Sequence, residues 1–369
     1  MMRIAFFILL IVHALIHLLG FIKAFGLTVA KELTLPVSKT FGVLWLTGFL
    51  SFVIVAVMFA LRSNYWWLFG LIAIFISQVL IIIFWKDAKY GTMVNVIVLI
   101  AAIIGYSTWN FKSKFEDEVS KGILQTATIP DSLLTDADLQ NLPSQVKKYV
   151  QYNGAVGKPK VKNFEVEFTG KLRKNEHSGW MPFSSVQYNF LETSTRLFFL
   201  NATMKQFPVA GFHCFKDGNA FMDIRLFSLL KVQYQSGKEM GISETVTFFN
   251  DMCCMAPATL IDKRIKWLND DNNKVKAEFT NNGITITADL YFNDKGELVN
   301  FISDDRYAVT EDNQMKKLRW STPLKDYKEI DGHRLAGYAE VIYTYPEGDL
   351  TYGIFSLTHI EYNCKELKR

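Results

Sequence analysis

The sequence is poor in cysteine and almost balanced in charge, and each feature excludes a class of protein. Its 369 residues include four cysteines, adjacent at 253 and 254 and isolated at 214 and 364, so no disulfide framework can be recognised. The formal net charge is only +4. Because no basic stripe with interleaved aromatic residues accompanies that charge, the sequence predicts no nucleic-acid partner.

Common catalytic motifs are missing as well. The chain has no glycine-rich dinucleotide loop, no phosphate-binding P-loop, no paired-histidine zinc motif and no nucleophile elbow. His177, His213, His333 and His359 lie far apart in the sequence and lack the spacing of metal ligands. The sequence therefore predicts no catalytic residue, no metal site and no cofactor, and it defines no reaction.

Charged residues are scarce in the first part of the chain, where four apolar runs occupy residues 4–25, 41–61, 65–85 and 92–109. About 20 apolar residues suffice for a helix to cross a bilayer. Tryptophans lie at the ends of several runs, where indole rings favour the headgroup layer. No run of that length follows, so we expect four transmembrane helices and then a soluble part.

This pattern predicts three regions, namely a four-helix transmembrane anchor at 1–110, a linker at 111–142 and a soluble β-rich domain at 143–369. An even number of spans places both ends of the anchor on one side of the membrane. Lysine and arginine are equally frequent on the two sides, so the positive-inside rule gives no orientation. Cysteines without an evident disulfide partner suit a reducing compartment and favour a cytoplasmic domain.

Two histidines interrupt the first apolar run, although polar side chains are costly in hydrocarbon. His13 and His17 are four residues apart and share one helix face. They could bind a metal or serve redox chemistry, but the cores of the other runs offer no His, Cys, Asp or Glu as a further ligand. The alternative interpretation is a polar contact between helices, in which Gln78 and Asn95 are partners.

The second half of the sequence mostly alternates between apolar and polar residues. In NFEVEF (163–168) and ITITADLYF (284–292) every second residue is apolar, which is typical of antiparallel strands with one buried face. We count roughly ten such strands. Segment 243–262 instead has an apolar stripe at helical spacing, with Ser243 as its N-cap and a kink near Pro257. The predicted fold is an α-helical membrane bundle followed by an α+β domain, a curved antiparallel sheet wrapped on this helix.

Two features of the second half contain reactive or charged side chains. The predicted helix contains the adjacent pair Cys253 and Cys254. Adjacent positions do not easily turn both sulfurs to one metal, and free cysteine often behaves as a small buried hydrophobe, so we interpret the pair as core. Asp304, Asp305 and Arg306 follow the strand pattern ELVNFIS and are interpreted as a solvated strand end with a local ion pair.

Aromatic residues are frequent in a domain that the sequence places beside a bilayer. We expect five of them to line the concave side of the sheet and to bind a lipid or another apolar ligand, although the same residues could simply fill the core. They are Phe164, Phe168, Phe198, Trp267 and Phe292.

A membrane-tethered binding module is thus the main functional hypothesis, with the lipid bilayer as its first partner. One alternative is a membrane redox or metal-dependent protein that uses the histidine face of the first span. Another is a structural or assembly partner of a second membrane protein. The sequence leaves these alternatives open, because none of them has a motif of its own.

Five segments carry a resemblance to a known family: KDAKYGTMVNVIVLI (86–100), VKKYVQYNGAVGKPKV (146–161), GWMPFSSVQ (179–187), ETVTFFNDMCCMAPATLIDKRIKW (244–267) and DYKEIDGHRLAGYAEVIY (326–343). They resemble an uncharacterised bacterial multi-pass membrane-protein family with a C-terminal domain of unknown function. The resemblance implies a fold and a place in the bacterial cytoplasmic membrane, but no activity. Met252, Cys253 and Cys254 depart from it, since a Trp and a charged residue are common there. The predicted architecture is also similar to the lipoprotein-localisation carriers, whose apolar concavity holds acyl chains.

Overall fold

The computed structural model describes residues 2–27, 33–310, 312 and 314–368. The chain divides into two compact units, Met1–Ser113 and Lys114–Arg369. Residues 1 and 28–32 of the predicted anchor, and residues 311, 313 and 369 of the predicted soluble domain, lie outside the described residues.

Apolar helices form the first unit, and the last of them continues past Ser113 into the second unit. They are α1 (Met2–Ala24), α2 (Lys39–Ala60), α3 (Trp66–Ile83), the short α4 (Trp85–Ala88) and α5 (Gly91–Thr126). Among the described residues, four helices, all but α4, are long and apolar enough to cross a membrane. Ser38 caps α2, because its side chain accepts a hydrogen bond from the amide of Phe41. The four predicted apolar helices are confirmed, and they fit a membrane protein.

Helix α5 is longer than the predicted fourth span and continues to Thr126, into the stretch 111–142 that the sequence predicts as a linker. Phe115 and Val119 lie four residues apart on one face, and both are buried. Phe115 belongs to the second unit, and its ring centroid lies 5.4 Å from that of Phe199 in the sheet of the same unit. Because this apolar stripe packs on the sheet, the charged residues around it stay helical instead of forming a loop.

The second unit contains two further helices and a single large sheet. The helices are α6 (Ser144–Asn153) and α7 (Lys238–Met255). The strands are β1 (Asn163–Leu172), β2 (Met181–Phe190), β3 (Thr195–Met204), β4 (Phe207–Lys216), β5 (Asn219–Leu226), β6 (Leu230–Ser236), β7 (Ile265–Asp271), β8 (Lys274–Asn281), β9 (Ile284–Phe292), β10 (Leu298–Val309), β11 (Met315–Ile330), β12 (His333–Tyr345) and β13 (Gly348–Tyr362).

The sheet has 13 strands in the order β6-β5-β4-β3-β2-β1-β13-β12-β11-β10-β9-β8-β7, and every neighbouring pair is antiparallel. The sheet is curled into a half-barrel, which confirms the predicted curved antiparallel sheet, but it has more strands than the roughly ten that alternation indicates. Strand β3 shows one reason. Residues 195–200 are all buried, because both faces of this strand are covered, so its sequence is apolar without alternation.

Helix α7 packs against the concave side of the sheet and contacts β5, β6, β9, β10 and β12. The central helix is therefore confirmed, but it begins at Lys238, before the predicted N-cap Ser243. It ends at Met255, and a separate 3-10 turn, Pro257–Ile261, replaces the predicted kinked continuation. Every residue from 243 to 255 is buried, so α7 is covered on all sides and not along a single stripe.

Candidate functional site

A cavity of about 950 Å³ lies between α7 and the concave face of the sheet. Strands β1 to β6 form one wall, strands β10 to β13 form the other, and α7 forms the floor. The walls are mainly apolar and include Phe168, Phe198, Leu200, Leu324 and Val341. The volume lies within the range of about 300–1,000 Å³ that is usual for sites of small ligands.

The structure brings together only part of the predicted aromatic site. Phe168 and Phe198 line the cavity. Phe164 and Phe292 lie instead in the main core, at 0% and 3% exposure, and Trp267 packs against that same core while partly buried. Helix α6 contributes to this core, where it contacts β8, β12 and the 3-10 turn after α7.

Tyr149 of α6 shows how this core is packed. Its ring centroid lies 5.8 Å from that of Phe292, and its hydroxyl donates a hydrogen bond of 2.9 Å to the carbonyl oxygen of Cys253. Tyr149 is itself fully buried. Phe292 is therefore core, and on β1 Phe164 is core while Phe168, four residues later, lines the cavity.

The floor of the cavity contains a buried ionic cluster that joins β3 to α7. The guanidinium of Arg196 donates from Nε to Asp251 Oδ2 at 2.8 Å and from Nη1 to Glu244 Oε2 at 3.0 Å. Its third nitrogen, Nη2, donates to Gln187 Oε1 at 2.8 Å. Asp251 Oδ2 also accepts from Asn189 at 3.1 Å. Arg196 is thereby fully engaged, as a buried cation must be.

A second arginine, Arg306, reaches the same cavity because β10 contains a bulge. The pairing of β10 with β11 shifts register between Ser303 and Arg306, and a bulge of this kind redirects the side chains that follow it. Asp304 and Asp305 consequently face outward, where they pair with Arg319 at 2.9 Å and with Lys317 at 2.8 Å. The prediction of a solvated strand end is wrong, because β10 continues through these residues to Val309. Asp304 is exposed as expected, whereas Asp305 is partly buried and Arg306 lines the cavity.

Burial also sets the protonation of the other polar residues near the floor. It lowers the pKa of His213, which lines the cavity, to about 4, so this imidazole is neutral near pH 7. It raises the pKa of Asp251 above the usual carboxyl range, although the neighbouring Arg196 acts in the opposite direction. Burial raises the pKa of the Cys253 and Cys254 thiols as well, which keeps both protonated and weakly nucleophilic.

The four polar residues predicted within the spans lie close together in the first unit. His13 Nε2 donates to Asn95 Oδ1 at 3.1 Å, and Asn95 Nδ2 donates to Gln78 Oε1 at 3.0 Å. His17 pairs with Ser77, and not with Gln78 as expected: the Ser77 hydroxyl lies 3.0 Å from His17 Nε2. His17 Nδ1 donates to the carbonyl oxygen of His13 at 2.9 Å, so its Nε2 accepts from Ser77.

This polar cluster of α1, α3 and α5 consists of groups that form hydrogen bonds with one another. Asn95 Nδ2 also donates to Ser77 Oγ at 3.0 Å, which closes the network between α1, α3 and α5. Within the described part of the chain, His13 Nδ1 is the one buried polar atom of these side chains without a hydrogen-bond partner. Over the same residues, no three His, Cys, Asp or Glu side chains are grouped so that they could hold a metal ion.

Sequence reasoning missed the polar residues of the cavity floor. Arg196 lies in the mostly apolar strand segment TRLFFL, and Glu244 and Asp251 lie in a helix that its apolar stripe identifies as core. The sequence contains one signal for them: charged residues stand inside a strand and a helix that are otherwise apolar. Buried charges of this kind need partners of opposite charge. That pairing could have been proposed, but its place beside a cavity depends on the curvature of the sheet.

Residues 132–355 match a family of unknown function, DUF6544, and this match spans more than half of the chain. The chain belongs to this family. The match contains α7 and strands β1 to β12, so most of the cavity lining lies within the DUF6544 region. The resemblance to a family of unknown function is thereby confirmed. No curated protein matches the chain.

Three solved structures are similar to the chain at low sequence identity. One, named as an outer membrane lipoprotein-sorting protein domain from Vibrio parahaemolyticus, has 10% identity, a TM-score of 0.32 and coverage of 54% of this chain and 85% of that chain. A DUF1329 family protein from Desulfovibrio piger has 10% identity and a TM-score of 0.31, with coverage of 63% and 94%. A LolA superfamily protein from Nitrosomonas europaea has 7% identity and a TM-score of 0.29, with coverage of 59% and 92%.

Proposed function

We propose that the chain is a membrane-tethered binding module that holds a lipid or another apolar ligand in the cavity between α7 and the sheet. The observation that carries this proposal is the cavity itself, a space of about 950 Å³ with mainly apolar walls. Water molecules find few hydrogen-bond partners between apolar walls. An apolar ligand in the cavity would remove both its own apolar surface and that of the walls from water, which is favourable. We propose no reaction, because Arg196, Glu244 and Asp251 of the floor pair with one another.

The proposed function also has a proposed cellular location. We place the anchor in the bacterial cytoplasmic membrane and the second unit on its cytoplasmic side. All four cysteines are buried and free, and free thiols are usual in a reducing compartment. A ligand taken up by such a module would come from the bilayer that holds it or from the cytoplasm.

Filling the cavity is expected to expel the ligand. Ala339 lines the cavity from β12, so Ala339→Trp should place an indole where an acyl chain would lie. We expect the purified full-length variant to retain several-fold less lipid than the wild type when bound lipid is extracted and quantified by mass spectrometry. Tyr338→Trp is the matched control, because Tyr338 is the preceding residue on the same strand and does not line the cavity.

The control also accounts for lipid that adheres to the anchor, which both variants share with the wild type. Equal retention of lipid by the wild type and both variants would contradict binding in the cavity. Retention that falls only in Ala339→Trp would support it. The variants must first be shown to elute as folded protein, so that a loss of lipid is not a loss of structure.

The cytoplasmic location predicts that the turn between β12 and β13 is inaccessible from outside the cell. Glu347 lies in this turn and is exposed. We expect Glu347→Cys to react with a membrane-impermeant maleimide only after spheroplasts are lysed. The buried native cysteines give a low background in this assay. Labelling of intact spheroplasts would place the second unit on the opposite side of the membrane.

A further inference from the structure

Arg306 is the unusual residue of the cavity. Its side chain lines the cavity and is only 13% exposed, yet its Nε and Nη1 atoms are buried and have no hydrogen-bond partner in the described residues. Buried donors of a charged group are costly to leave unpaired. A protein keeps such a group where something else supplies the acceptor.

The nearby carboxylates do not supply that acceptor. The closest contact, from Arg306 Nη2 to Glu244 Oε1, is 3.9 Å, which is beyond hydrogen-bond distance. Glu244 and Asp251 are instead bound by Arg196 at 3.0 and 2.8 Å. The two arginines of the floor therefore differ, since one is saturated by protein groups and the other is not.

Aromatic rings hold the guanidinium of Arg306 in place. Its central carbon lies 4.5 Å from the ring centroid of Trp320 and 5.8 Å from that of Tyr343. Contacts of this kind stabilise the cation and fix its orientation while leaving its N–H groups free to donate. Trp320 and Tyr343 also line the cavity, so the charge lies directly beside the apolar walls.

We propose that the ligand is an amphiphile with an acyl chain and a singly or doubly charged anionic head, and that an oxygen of this carboxylate or phosphate head accepts hydrogen bonds from Arg306. The inference rests on the proposed function and makes it specific. The acyl chain of the ligand lies against the apolar walls formed by Phe168, Phe198 and Leu200. Arg196 is already paired with Glu244 and Asp251, so the anionic head is expected to pair with Arg306 and not with Arg196.

The test compares ligands that have different head groups on a hydrocarbon chain of the same length. The full-length protein in amphipol is titrated at pH 8 with tritiated dodecanoate, dodecyl phosphate or dodecanol, and binding to Ala339→Trp is subtracted as the background outside the cavity. We expect at least one anionic ligand to bind about tenfold more tightly than dodecanol, a difference of about 1.4 kcal/mol. The two anionic ligands distinguish a carboxylate from a phosphate head.

The variant Arg306→Met should lose this preference, so that the anionic ligand binds no more tightly than dodecanol, whose affinity stays unchanged. Arg319→Met is the matched control, because Arg319 is exposed on β11 and pairs with Asp304 outside the cavity. Equal affinities for all three ligands in the wild type would overturn the role of Arg306 and leave apolar binding intact. Absence of binding above background for every ligand, dodecanol included, would overturn the proposed function itself. The wild-type comparison does not depend on whether Arg306→Met folds.

Discussion

Replacing Arg196 by methionine is expected to lower the free energy of unfolding of the second unit by about 3–5 kcal/mol. Methionine keeps an unbranched apolar side chain in place of the arginine stem, so most of the loss comes from charge and hydrogen bonds. It removes the donor shared by Glu244 and Asp251, whose exposures are only 1% and 5%. Two carboxylates would then lie buried without a cation in hydrogen-bond contact.

Hydrogen–deuterium exchange of the full-length protein in micelles measures this loss where it occurs. Peptides from α7 and β3 should exchange faster in Arg196→Met, while peptides from α1 to α3 should not change. Arg319→Met is again the control, because an exposed ion pair contributes at most about 1 kcal/mol. Adding Asp251→Asn to Arg196→Met should restore part of the stability, since the amide oxygen can still accept from Gln187 and Asn189. Protection equal to that of the wild type in Arg196→Met would show that the cluster does not stabilise the fold.

The same cluster makes the stability of Arg196→Met depend on pH. Burial raises the pKa of Asp251 in the folded protein above its unfolded value. A raised carboxyl pKa favours the folded state while the group is protonated, and this contribution is lost as the pH rises through the folded pKa. Removing the cation raises that pKa further. The stability deficit of the variant relative to the wild type should therefore widen from acid toward neutral pH.

Features with a local period could be predicted from the sequence. The four apolar helices follow from runs of about 20 residues, and strands such as β9 follow from strict alternation. The central helix follows from apolar spacings of three and four between Val246 and Leu260. The spacing of apolar residues differs between helices and strands, so these patterns determine element type and, from the order of the elements, fold class.

Features that depend on distant packing could not be predicted in this way. The bulge before Arg306 exchanges the side chains of β10 that point inward and outward from that residue on. The segment SDDR contains no residue pattern that predicts this bulge. The same limit separates Phe168 from Phe164, which share one apolar pattern although one lines the cavity and the other fills the core. Extension of α5 to Thr126 likewise depends on the sheet surface that covers Phe115.

The polar cluster of α1, α3 and α5 also shows what composition predicts and what depends on geometry. The sequence identifies His13, His17 and Asn95 as polar residues among apolar helices, and the structure joins them. The partner of His17 is Ser77, one residue from the expected Gln78. A step of one residue turns a helix by about 100°, so the choice between these neighbours depends on the rotation of α3 in the bundle.

Truncating Phe249 should destabilise the second unit about as strongly as removing Arg196, but through packing. Phe249 is fully buried on α7, stacked on Phe279 at a centroid distance of 5.0 Å and in edge contact with Phe301 at 5.7 Å. Phe249→Ala removes these contacts and leaves a cavity that the surrounding sheet cannot close. We expect a loss of about 3–5 kcal/mol in the free energy of unfolding.

Pulse proteolysis of the full-length protein in urea would measure this loss as a lower urea midpoint. Phe207→Ala is the matched control, because Phe207 is 49% exposed and its truncation should change stability by about 0.5 kcal/mol or less. Phe249 does not line the cavity, so the folded variant should bind dodecanol with unchanged affinity. A stable Phe249→Ala would contradict a tightly packed core beneath α7. A stability loss without a change in affinity would separate the residues that hold α7 in place from those that contact the ligand.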